Sequence, residues 1–150
     1  MRAINHAMTG AIIGLSISAP VAIPLAFVSH YALDALPHHD SKDKSLKKVT
    51  LILLVDIILC LVLVLIIFII RPSYWWLAIL CAFLATSADF MWFSGYNDLR
   101  TGKIPRPAAQ RHVIVALHEK VQWFQKPIGV IVEIVWAVLA GGCLYFLLRS

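Results

Sequence analysis

Long apolar runs separated by short polar connectors dominate the chain. The first run, residues 7–36, is long enough to cross a membrane once but contains Pro20 and Pro24. Proline inside a helix removes a backbone hydrogen bond and clashes with the preceding turn. The pattern therefore predicts two short helices, near 5–18 and 22–36, joined around Ser18-Ala19-Pro20. Each covers roughly 20–23 Å, less than the ~30 Å hydrocarbon core, so a hairpin that enters and leaves on one side fits these lengths. A single kinked span is the alternative, and it would put His6 and His30 on opposite faces.

Residues 49–70 form an apolar run broken chiefly by Asp56, and Arg71-Pro72-Ser73 reads as a tight turn. Tyr74, Trp75 and Trp76 open the next run as an interfacial aromatic belt. That run extends to about 94 and carries Asp89; the last, 128–148, carries Glu133. Between them, residues 95–127 are polar, with Pro105 and Pro107 ahead of a predicted helix near 108–124. There Val113, Leu117, Val121 and Phe124 recur at helical spacing, as in a helix lying on a membrane surface. The expected architecture is all-α: a single-domain polytopic transmembrane helical bundle with a short N-terminal hairpin, three long spans and one interfacial helix.

Composition agrees. The 150 residues are 61% hydrophobic and only 14% charged, against roughly a quarter charged in soluble domains. The net charge of +5 matters less than its placement. The connectors 38–48 and 95–127 hold ten of the thirteen Lys and Arg residues, which by the positive-inside rule makes both cytoplasmic. A multi-pass protein of the inner, cytoplasmic membrane is expected. A chain whose surface faces lipid is a poor candidate for nucleic-acid binding. Cys60, Cys81 and Cys143 lie in apolar runs without CxxC spacing, so neither a disulfide framework nor a thiolate site is indicated. The first run lacks the basic flank of a cleavable signal.

The candidate chemistry gathers at residues 29–40, which hold three of six histidines and two of eight acids. His30, Asp34 and His38 are spaced i, i+4, i+8 and would line one helical face. In this topology Asp34, Asp56, Asp89 and Glu133 fall at similar depth, within roughly 5–11 Å of the cytoplasmic interface. An intramembrane carboxylate costs on the order of 2.5–3.5 kcal/mol. Four at one level repel unless protonated or bridged by a cation, and no Lys or Arg lies within these runs to neutralise them. Glu133 also reads as a protonated carboxyl bonding between helices, and His112, beside Arg111, as a solvated side chain.

Imidazole and carboxylate donors together suit a divalent ion: zinc first, manganese or iron as alternatives, one ion or two. The expected ligands are His6, His30, Asp34, His38, Asp56 and Asp89. His118, Asp89 and His39 are the expected catalytic groups, His118 as ligand or acid–base group. Such a cluster at a membrane boundary suits metal-assisted hydrolysis, the ion polarising the scissile group while a spare side chain takes the proton. Basic residues around it would attract an anionic lipid or phosphorylated substrate. The rival is a metal-ion or proton transporter, or a metal-binding membrane protein, using the same acids. The apolar outer halves of the long spans argue against transport.

The pattern His6-x3-Gly10-x3-Gly14, followed by His30-x3-Asp34-Ala-Leu-Pro-His38-x-Asp40, resembles the small inner-membrane-associated metal-dependent hydrolases. Asp89 after Ala-Thr-Ser-Ala, and His118-x3-Gln122-Trp-Phe ahead of the last run, resemble that family's later motifs. The resemblance implies a metal-dependent hydrolase and leaves its substrate open. Where the family ends its second helix with Leu-Pro-Asp-x-Asp-His, this chain has Leu36-Pro37-His38-His39-Asp40, so ligand roles do not transfer position by position there.

Overall fold

The computed structural model describes residues 1–38, 45–91, 96, 100–101 and 128–149. The predicted interfacial helix, His39, His112 and His118 lie outside them.

Every regular element among the described residues is helical: α1 (Ala3–Ser16), α2 (Ala19–Asp34), α3 (Leu46–Ile70), α4 (Trp75–Ser87), a 3-10 turn (Ala88–Met91) and α5 (Gly129–Leu147). Ile17 is extended and ends α1. Pro20 sits in the first turn of α2, where its missing N–H matters least. Pro24 lies inside α2 without ending it. The chain reverses at this joint, because His6 near the start of α1 stacks on His30 near the end of α2. The two short helices are a hairpin.

α3 and α5, at 25 and 19 residues, are long and apolar enough to cross a membrane, about 37 and 28 Å of helix. Their outward faces carry exposed Leu51, Leu61, Ile69, Val138 and Phe146. The third long span expected over 74–94 takes another form: α4 is a shorter apolar helix of 13 residues. Hydroxyl side chains bond back to the carbonyls of its last turns. Thr86 Oγ1 bonds the Ala82 and Phe83 carbonyls and Ser87 Oγ the Leu84 carbonyl, drawing those acceptors into side-chain bonds. The chain then tightens into the 3-10 turn bearing Asp89.

Between α3 and α4 the chain turns within four residues. Arg71 adopts a left-handed conformation and its N–H closes on the Ile67 carbonyl at 2.9 Å. Its guanidinium lies over the Phe68 and Trp75 rings, 4.9 and 5.7 Å from their centroids, which holds the cation at the apolar boundary.

The core forms around α1, which contacts α2, α3, α4 and α5 and packs most extensively on α4. Close approach requires small residues. Any Cβ on Gly14 would stand 2.6 Å from both Ala78 Cα and the Leu77 carbonyl, and one on Gly10 would collide with the Cys81 carbonyl. Ala7, Ala11, Ala78, Ala82 and Ala85 complete the seam, each nearly or fully buried. Between helices that cross a membrane, backbone proximity of this kind would supply the van der Waals contact that holds them together.

Candidate metal centre

At the open end of the hairpin the polar side chains turn inward. His6 comes from the second turn of α1, His30 and Asp34 from the last turns of α2, and Asp89 from the 3-10 turn after α4. Spacing of four on α2 sets His30 and Asp34 side by side. The small-residue seam brings α1 and α4 close enough for His6 and Asp89 to join them. His6, His30 and Asp34 are completely buried, and each offers a donor atom within 4.8 Å of the others'.

Asp34 divides its carboxylate between the two imidazoles. Oδ1 lies 3.2 Å from His6 Nε2, and Oδ2 lies 3.2 Å from His30 Nε2. Asp89 Oδ1 approaches the same His30 nitrogen at 3.8 Å, and its side chain is one-third exposed, giving this group an open side. The His30 ring is oriented by its other nitrogen, with Nδ1 2.8 Å from the Ala85 carbonyl. A carbonyl only accepts, so Nδ1 carries a proton, and Nε2 faces two carboxylates. Metal-ligating histidines are commonly oriented in this way. His6 is more unusual. Neither of its ring nitrogens makes a hydrogen bond, its approach to Asp34 being out of line. A buried polar group without a hydrogen bond costs free energy that something must offset. The Met1 amino group also reaches Asp34 Oδ1, at 2.6 Å.

Beside this group lies a second one. Arg2 Nη1 is 3.5 Å from Asp56 Oδ2, and Arg2 Nε is 3.9 Å from Glu133 Oε2. The apolar runs themselves hold no Lys or Arg, as read from the sequence, but Arg2, just ahead of α1, reaches two of these acids. Asp56 is thus drawn to Arg2, outside the His6–His30–Asp34 group. Asn5 donates from Nδ2 to the Glu133 carbonyl at 3.3 Å. Thr9 Oγ1 donates to the Asn5 carbonyl and accepts from Trp136 Nε1. These contacts tie α1 to α5.

His38 also stands apart from the group, because α2 ends at Asp34 and the i, i+8 face does not extend to it. Pro37 explains the ending, since a proline disfavours helical geometry in the residue before it. His38 is buried, its Nδ1 donates to the Leu36 carbonyl at 3.0 Å, and its backbone lies against Gly129 at the start of α5. Expected site residues His39 and His118 lie outside the described residues. Arg2 is the side chain that sequence reasoning assigned no role. Its position four residues ahead of His6, at the same end of α1, is the signal that marks it.

The donor set fits a divalent ion. Bonds of about 2.0–2.2 Å in a tetrahedral shell place neighbouring donor atoms roughly 3.3–3.5 Å apart, close to both imidazole–carboxylate distances of 3.2 Å. Comparison with protein-family models, curated proteins and solved structures finds no match for this chain.

Proposed function

We propose that this protein is a metal-dependent membrane hydrolase of the small inner-membrane-associated type, acting on a lipid or phosphoester at the cytoplasmic interface. In this reading the two long polar connectors are cytoplasmic, and the His6–His30–Asp34 group with Asp89 holds the metal. One observation carries it: buried His30, its Nδ1 proton committed to Ala85, directs Nε2 at carboxylates of Asp34 and Asp89. Two buried imidazoles and a carboxylate whose ligand atoms lie within 4.8 Å of one another make a set that a divalent ion fits.

A divalent ion would supply Lewis acidity and lower the pKa of a coordinated water. The protein's own part is to position it. Ala85 orients His30, and Asp34 spans both imidazoles. Asp89, on the open side, is placed to accept a proton from an incoming water. The polar residues sit at one end of the hairpin, and α3 carries no charged residue from 57 to 70, which disfavours a translocation path.

Metal content of the purified chain, measured by elemental analysis, tests the reading. The wild type is expected to retain zinc, manganese or iron through size exclusion, and Cys143→Ala, on an exposed position, to match it. His30→Ala and Asp34→Asn are expected to lose it, together with any hydrolysis of phosphoester or lipid-ester substrates. Equal metal in all four proteins, or none in the wild type, overturns it.

A further inference from the structure

Resting on the reading of this cluster as a metal site, we propose that it takes two divalent ions bridged by the Asp34 carboxylate, and that its substrate is a phosphoester. The argument is the stacking of the imidazoles. The His6 and His30 rings lie face to face with centroids 4.1 Å apart and planes inclined by only 24°. An imidazole lone pair lies in the plane of its ring, so an ion bound in line lies in that plane too. Planes this nearly parallel and this far apart do not meet within a metal–nitrogen bond length of about 2.0–2.1 Å. A single ion therefore does not take an in-line bond from both rings.

Two ions do. Each Nε2 faces a different oxygen of one carboxylate, at the same 3.2 Å. Asp34 Oδ1 and His6 serve one ion, while Asp34 Oδ2, His30 and Asp89 serve the other. Rings stacked 4.1 Å apart, each facing its own oxygen of one carboxylate, would hold two ions as close neighbours, and two-metal hydrolytic sites space their ions about 3.5–4 Å apart. The same arrangement gives the buried Nε2 of His6, which makes no hydrogen bond, a partner that a lone ion at His30 would not supply.

Paired ions at that spacing suit displacement at phosphorus, where attacking and leaving oxygens both need stabilising. Water forms the new P–O bond, the ester P–O bond breaks, and one proton passes from the water to the departing alcohol. No further reagent is consumed. The open side at Asp89 is where such a group would approach.

The test uses the full chain in detergent, stripped with chelator and reloaded with Mn(II). Two ions per chain by elemental analysis, with an exchange-coupled electron paramagnetic resonance spectrum, are expected. His6→Ala is expected to keep about one ion with the spectrum of isolated Mn(II). Should that variant fail to fold, the wild-type count and spectrum decide the matter. One uncoupled ion in the wild type overturns the two-ion site and leaves a single-ion centre standing. No ion at all overturns both readings, the Met1 amino group then being the cation on Asp34. Hydrolysis of carboxylic esters but not of phosphate mono- or diesters by the loaded protein overturns the substrate class.

Discussion

His30 donates from Nδ1 to the carbonyl of Ala85 at 2.8 Å, a buried bond between residues 55 apart in the chain. It couples the last turns of α2 to those of α4 and determines which ring nitrogen faces Asp34. The stability of the helix seam and the chemistry of the cluster are joined at this bond, and four expectations follow from the contacts around it.

Tight packing of α1 on α4 requires glycine at two positions. Gly10→Ala is expected to lower stability by about 1–3 kcal/mol through overpacking against the Cys81 carbonyl and Ala85. Gly141→Ala, where an added Cβ meets nothing within 4 Å, is expected to be neutral or up to ~1 kcal/mol stabilising. Unfolding in detergent, followed by circular dichroism, separates the two. Equal effects would refute the close approach of α1 and α4.

Arg2 balances two acids from different helices. Its side chain is 40% exposed, so screening limits its worth, and Arg2→Met is expected to cost about 1 kcal/mol. In a background of Asp56→Asn and Glu133→Gln the same change should cost markedly less, because the repulsion it would expose is already gone. A purely additive set of melting temperatures would show that the three groups do not interact.

Metal binding should stabilise the fold, since the donors converge only when α1, α2 and α4 are assembled. With free ion at a hundredfold excess over Kd the gain is about 2.7 kcal/mol, a rise of roughly 5–10 °C in Tm for a chain of this size. Differential scanning fluorimetry with chelator and with added zinc or manganese measures it. Asp34→Asn is expected to show no rise, and a rise equal to the wild type would place the ion elsewhere.

The start of α5 lies against the segment that follows α2. A side chain at 129 would overlap the backbone of His38, so Gly129→Val is expected to push that segment away and raise amide hydrogen exchange at 35–38. Mass-spectrometric exchange reads this directly. Unchanged protection there would contradict the contact.

What the sequence by itself determined was local. Apolar runs specified helices, Pro20 marked the division of the first run into a pair, and spacing of four set His30 beside Asp34 on one face. Each follows from periodicity and backbone stereochemistry, which a linear chain displays. The extent of α4 was less legible, because hydropathy continues into 94 while the backbone tightens into a 3-10 turn at 88–91. The same limit applies at His38, where spacing continues a helical face that the chain around Pro37 abandons.

Tertiary structure alone decided which polar groups meet. His6 stacks on His30, the Ala85 carbonyl fixes which ring nitrogen of His30 faces Asp34, and Arg2 pairs with Asp56. The physical reason is close approach: Gly10 and Gly14 let α1 settle against the backbone of α4, and that fit carries the polar end of each helix to its place. Hydrophobicity records that a helix is buried but not which neighbour it touches or at what height, and a metal centre depends on both.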